Sequence, residues 1–117
     1  MNNNLKIYQE DRPWGYFRRF THNISSTVKI ISVKPNEELS LQSHKKREEF
    51  WRVIKGSGTF QLGENRHNVV VGDEQFVPLG SKHTIKSGSE GMEVLEIALG
   101  EFDEDDITRY EDKYGRV

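Results

Sequence analysis

The chain has no cysteine and only three prolines in 117 residues, and no apolar run approaches the roughly 18 residues that span a bilayer. The first absence excludes a disulfide framework and any thiolate metal site. The missing apolar run excludes a helical membrane span within this sequence. Met1-Asn2-Asn3-Asn4 has neither the basic nor the apolar region of a secretory signal, so a cytoplasmic location and no membrane partner are expected. Also missing are a glycine-rich phosphate loop, which argues against nucleotide binding here, and a dense basic face with exposed aromatics, which argues against nucleic acid. The apolar fraction is 33% and mean hydropathy −0.79, lean for one domain of this size. Pairing with a second copy is the expected compensation, so a homodimer is predicted.

Charge is present and unevenly placed. The net charge is −2, yet Glu101, Asp103, Glu104, Asp105 and Asp106 put five acidic groups into six positions. Setting that run aside leaves the rest at +3, a balance that suits a small anionic ligand.

Short alternating apolar runs recur every 8–12 residues and are closed by glycine, proline or asparagine, the cadence of an all-β sandwich or barrel. Strands are predicted near 27–34, 38–44, 48–55, 57–62, 66–71, 74–77, 82–87 and 92–99. A short helix is predicted over 103–110, because its acidic residues favour a helix N-terminus. On the third strand Glu49, Trp51 and Val53 share one face, and Phe50, Arg52 and Ile54 the other. With Glu49 inward, Trp51 lines a cavity beneath it. Phe50 and Ile54 then look outward, where a second sheet or a partner subunit should cover them, together with the segment carrying Trp14.

The chemistry concentrates in two blocks, Gln42-x-His44-x4-Glu49-x6-Gly56 and Gly72-x5-Pro78-x-Gly80-x2-His83. Gln42 and His44 sit two apart and face the same way on a strand. Two imidazoles, a carboxylate and an amide oxygen converging inside a barrel make a divalent metal site with exchangeable positions. Gln42, His44, Glu49 and His83 are therefore the predicted ligands. Zinc is the first choice of metal, with manganese, nickel, cobalt or iron compatible. The alternative for the same residues is a polar hairpin of a soluble β domain. His22 and His67 have no partner spacing and read as surface residues.

The paired blocks, 15 residues apart between Gly56 and Gly72, resemble the two motifs of the cupin superfamily. RPWG at 12–15, VKIISVKP at 28–35, LSLQSHKKREEFW at 39–51 and EDDITRYEDKYGR at 104–116 narrow this further. Residues 11–116 resemble the C-terminal domain of bifunctional type II mannose-6-phosphate isomerases, so all 117 residues are expected to form one cupin-type jelly-roll domain. Glutamine at position 42 agrees with that narrower family. Phe50, Lys45, Lys46 and Ser87 depart from it, and these departures are expected to alter the rim of the site. The resemblance implies isomerisation of mannose 6-phosphate and fructose 6-phosphate through an enediolate, in carbohydrate metabolism that feeds polysaccharide biosynthesis. Arg47 is expected to grip phosphate bidentately, as a lysine cannot. Lys82 is expected as a second phosphate donor or proton carrier, and Trp51 as a substrate contact. Arg109 and Arg116 are expected to clamp the tail. The nucleotidyltransferase that precedes this domain in the bifunctional family has no counterpart in these residues. The competing expectation is thus a metal-binding cupin that holds or senses an anionic sugar derivative without isomerising it.

Overall fold

The computed structural model describes residues 6–117; the Met1-Asn2-Asn3-Asn4 segment lies outside the described residues. The architecture is all-β, with no helix among the described residues. Strands β1 (Tyr8–Arg12) and β2 (Gly15–Arg19) form a separate antiparallel hairpin turned at Pro13 and Trp14. The other strands are β3 (Ser26–Val33), β4 (Leu41–Ser43), β5 (Arg47–Leu62), β6 (Asn65–Val70), β7 (Glu74–Val77), β8 (His83–Gly100) and β9 (Thr108–Glu111). They make one antiparallel sheet in the order β6-β5-β8-β4-β9, with β3 added to β8 and β7 to β5. This sheet folds over its own core and does not close into a continuous barrel.

The predicted breaks at 56 and 88–91 are kinks within long strands. The expected strands 48–55 and 57–62 are one β5, and 82–87 and 92–99 are one β8. Register shifts fall between Val53 and Lys55 and between Gly56 and Gly58. Gly56 has φ +75°, and a Cβ there would run into the Gly91 carbonyl oxygen. Glycine therefore bends the ladder without ending it. Upstream of the bend β5 pairs with β7 and the end of β8; downstream it pairs with β6 and the start of β8.

The helix predicted over 103–110 does not form. The aspartates bond to backbone instead: the Asp105 amide donates to Asp103 Oδ1 at 2.9 Å, and the Asp106 amide to the Asp103 carbonyl at 3.0 Å. Such local bonds offer the chain a turn in place of a helix. Thr108–Glu111 then joins β4 as β9.

Alternation on β5 assigns faces as the sequence predicts. Trp51 and Val53 enter the main core with Val33, Phe60, Val77, Ile85 and Val94. Phe50 enters a second core with Ile97 and Leu99 on the opposite face. Phe20, just past β2, closes that face with its ring 5.4 Å from Phe50. Of the two covers expected for Phe50, a second sheet or a partner subunit, the chain thus supplies one itself, a burial worth about 1.5–3 kcal/mol. Ile54 remains exposed, and Trp14 at the hairpin tip is 73% exposed.

Candidate functional site

The site lies where β4, the start of β5 and the start of β8 meet. Gln42 on β4 pairs with His83, the first residue of β8. His44 follows β4 directly, and the turn at Lys45 and Lys46 is fixed by Asp106, whose carboxylate accepts both amides at 2.9 Å. Burial opposes ionisation of that carboxyl, but the two amides hold its pKa below the ordinary value. Glu49 follows on β5, on the same face as Arg47 two residues earlier.

His44, Glu49 and His83 are all buried, and their ligating atoms lie within 4.8 Å of one another. His44 Nε2 is 3.3 Å from Glu49 Oε2, His83 Nε2 is 3.3 Å from Glu49 Oε1, and the two Nε2 atoms are 3.2 Å apart. Each imidazole is oriented from behind: His44 Nδ1 is 2.7 Å from the Asp106 carbonyl and His83 Nδ1 2.9 Å from the Ser81 carbonyl. A carbonyl only accepts, so both Nδ1 atoms carry the proton, and both Nε2 atoms present lone pairs to the centre. Three acceptors therefore face one another with no proton between them, an arrangement a cation satisfies. The edges of a tetrahedron with 2.0–2.1 Å bonds measure about 3.3–3.4 Å, close to the Nε2–Nε2 separation and to the distance from each Nε2 to its nearer Glu49 oxygen. The residues fit a divalent metal, and the Asp106 and Ser81 carbonyls supply the outer hydrogen bonds such ligands require.

Electrostatics point the same way. Burial lowers the pKa of His44 and favours the neutral, ligating imidazole. Burial opposes ionisation of Glu49, yet a hydrogen bond from His83 and the charge the two imidazoles carry when protonated, together with the Arg47 guanidinium, hold its carboxyl down at about 2. Positive charge at this point, from a proton or from a metal in its place, thus keeps Glu49 ionised. The opposite holds for Glu96 on β8, which burial and the Glu49 carboxylate push up to about 8.

A cavity of about 240 Å³ opens onto the cluster. Its lining includes Gln42, Arg47, Glu49, Trp51 and His83, all singled out from sequence. The Gln42 amide nitrogen is held by Ser40, 3.2 Å from Oγ and 3.3 Å from the carbonyl, which leaves the amide oxygen as its free group. Trp51 is 1% exposed and forms the floor, its ring 5.5 Å from His83.

Arg47, the expected phosphate grip, lies inside the cluster. It is 6% exposed, donates from Nε to Glu49 at 3.2 Å and from Nη1 to the Asp103 carbonyl at 3.1 Å, and lies over the Phe102 ring. Its Nη2 is 3.3 Å from His44 Nε2. Lys82 is exposed, with its ammonium 4.2 Å over the Tyr110 ring, and does not line the cavity. Arg109 and Arg116 do line it, and Arg116 is also bonded to Asp112 at 2.7 Å. Of the departures from the family pattern, Phe50 faces away, Lys45 and Lys46 are exposed outside the cavity, and Ser87 ties down the 34–37 loop through the Lys34 and Glu37 carbonyls. None reaches the cavity lining. His22 and His67 are exposed.

Sequence reasoning missed Lys29 and Glu96, which are cross-strand partners on β3 and β8 and also line the cavity. Their signal was a charged residue at an inward register within apolar alternation. A larger open cleft of about 660 Å³, lined in part by Thr59, Gln61, Arg66 and Lys86, contains none of the converging residues. The chemistry, not the size, decides between them.

A jelly-roll sheet with two histidines and a glutamate converging at one end defines a cupin-type protein. A cupin protein from Bacteroides fragilis superposes with a TM-score of 0.59 at 20% identity, over 69% of this chain and 74% of that one, which bears on the fold. Residues 2–112 match the family described as mannose-6-phosphate isomerase C-terminal, and the chain belongs to that family. It is 36% identical over 117 residues to the alginate biosynthesis protein AlgA of Pseudomonas putida, covering 98% of this chain and 24% of that protein. The xanthan biosynthesis protein XanB of Xanthomonas campestris is 38% identical over 114 residues, covering 96% and 24%. The chain spans about a quarter of the length of these relatives.

Proposed function

We propose that this domain is a metal-dependent sugar-phosphate isomerase interconverting mannose 6-phosphate and fructose 6-phosphate, in a route supplying polysaccharide biosynthesis. The observation that carries the reading is the convergence of the His44, Glu49 and His83 lone pairs in a cavity bordered by Lys29, Arg47, Arg109 and Arg116. His44, Glu49 and His83, with the Gln42 amide oxygen, would hold a divalent cation, zinc first by ligand type. Such a cation supplies Lewis-acid stabilisation of charge developing on the sugar oxygens as a proton moves between C1 and C2. Arg47 orients Glu49 and His44 through its hydrogen bonds, and its remaining N–H groups, with Arg109 and Arg116, offer the phosphate charge-assisted contacts. Trp51 closes the floor and keeps water from the reacting carbons. Lys82 would act only at the mouth, given its place over Tyr110.

The exposed Trp14, Val28, Ile30 and Ile54 support a homodimer as the working assembly. The direct test is turnover of mannose 6-phosphate by metal-loaded protein, with and without chelator. No turnover by the loaded protein sinks the isomerase reading. Binding without turnover makes the domain a metal-dependent sugar-phosphate receptor. Arg47→Ala is expected to weaken both metal and substrate, because Arg47 touches two ligands.

A further inference from the structure

Two buried side chains in the cavity wall hold polar atoms that nothing in the protein satisfies. Trp51 Nε1 and Glu96 Oε1 have no hydrogen-bond partner, although the residues are only 1% and 4% exposed. The nearest cation to Glu96 is Lys29 Nζ at 3.8 Å, too far for a hydrogen bond. A buried polar group left unpaired costs about 1–3 kcal/mol, so two in one wall call for a ligand that pairs them. Trp51 and Glu96 are direct cross-strand partners on β5 and β8, so their side chains rise side by side on one face. Arg109 Nε, also buried and unpartnered, borders the same cavity.

The chemistry of the pair is specific. An indole N–H only donates, and a carboxyl oxygen that carries no proton accepts, whether or not the group is ionised. A hydroxyl does both, so a single hydroxyl can accept from Trp51 and donate to Glu96. A deprotonated phosphate oxygen would satisfy the indole but brings no hydrogen for Glu96 Oε1, the atom the protein leaves without a donor. We propose that Trp51 and Glu96 form a hydroxyl-reading wall, with Glu96 a specificity residue that holds a sugar hydroxyl while the basic residues hold the anionic group. The assignment rests on the sugar-phosphate reading for its ligand, and adds which atoms recognise the sugar itself.

The chain has two tryptophans, so the two indole N–H resonances of ¹⁵N-labelled protein can be assigned with Trp14→Phe. Metal-loaded protein is titrated with mannose 6-phosphate, free mannose and inorganic phosphate. The expected result is that the Trp51 indole resonance moves with the hexose phosphate and with mannose, and stays in place with phosphate alone. Glu96→Ala should weaken mannose 6-phosphate at least tenfold while leaving inorganic phosphate affinity within twofold, and Glu96→Gln, which keeps an acceptor oxygen, should recover part of the loss. An indole resonance that stays put under saturating hexose phosphate, or a Glu96→Ala protein that loses both ligands equally, overturns the proposal. If hexose phosphate does not bind but mannose or another polyol shifts Trp51, the wall stands and the sugar-phosphate reading falls. If neither hexose phosphate nor any polyol binds, both fall.

Discussion

Metal binding should be visible first as stability. His44 Nε2 and His83 Nε2 lie 3.2 Å apart and each 3.3 Å from a different Glu49 oxygen, with Arg47 as the nearest relief for their lone pairs. Such a site binds the folded chain and not the unfolded one, so free metal at 100 times its dissociation constant adds about 2.7 kcal/mol. Unfolding entropy near 2.1 cal/mol/K per residue gives a 117-residue chain about 0.25 kcal/mol/K, so Tm should rise by about 11 °C. The assay is thermal unfolding of chelator-treated protein, read again after adding zinc, manganese, cobalt, nickel or ferrous iron. His83→Ala removes one of three converging donors and should abolish the rise. Because it also relieves acceptor repulsion, the metal-free variant should lose less stability than an ordinary buried truncation. If none of the five metals shifts Tm, or if His83→Ala responds as the parent does, the metal-site reasoning is refuted.

Three further expectations follow from particular groups. Asp106→Ala removes the acceptor for the Lys45 and Lys46 amides and loosens the carbonyl behind His44, so metal affinity should fall roughly 10–100-fold by calorimetric titration. Gly56→Ala forces a side chain into φ +75° and against the Gly91 carbonyl, and should cost about 2–4 kcal/mol by urea unfolding. For metal-free protein, Glu96 has a folded pKa raised to about 8 from 4.5, so the native state holds its proton longer than the unfolded state. Its contribution is fully present below pH 4.5 and is lost as pH rises to 8. Glu96→Gln should flatten the fall in urea midpoint across that range, and an unchanged slope would show that Glu96 is not the group responsible.

Much of the fold was legible because period-two alternation survives along the strands: it put Glu49, Trp51 and Val53 on one face, and the ligand role of Glu49 made that face the inward one. The converging ligands were legible for the same reason: Gln42 and His44 share a face, and His83 opens the strand that Gln42 pairs with. Strand ends were misread at Gly56 and Gly91, since a positive-φ glycine marks a sharp bend equally well when the ladder continues through it. The acidic run was misread as a helix because helix-favouring charge and turn-forming aspartate look alike until the amides that need capping are known. What covers Phe50 was left between a second sheet and a partner because Phe20, thirty residues earlier, gives no sequence sign of lying against it. The depth at which Arg47 lies was not legible, because spacing gives a face but not a depth.

The C-terminal tail follows from these corrections as part of the site. The Asp106 carbonyl sets which nitrogen of His44 faces the centre, and its carboxylate fixes the turn that presents His44. The Asp103 carbonyl and the Phe102 ring hold the Arg47 guanidinium that bonds Glu49. Arg109 and Arg116 carry positive charge to the cavity wall, and Tyr110 ties β9 to Ser43 on the strand before His44. A chain cut after Gly100 would keep all four candidate ligands and both apolar cores, yet lose the groups that aim His44 and restrain Arg47. Such a truncation should still unfold cooperatively but bind metal far more weakly. Full metal affinity in the truncated chain would show that β4, β5 and β8 alone organise the centre, and that the tail serves only the substrate.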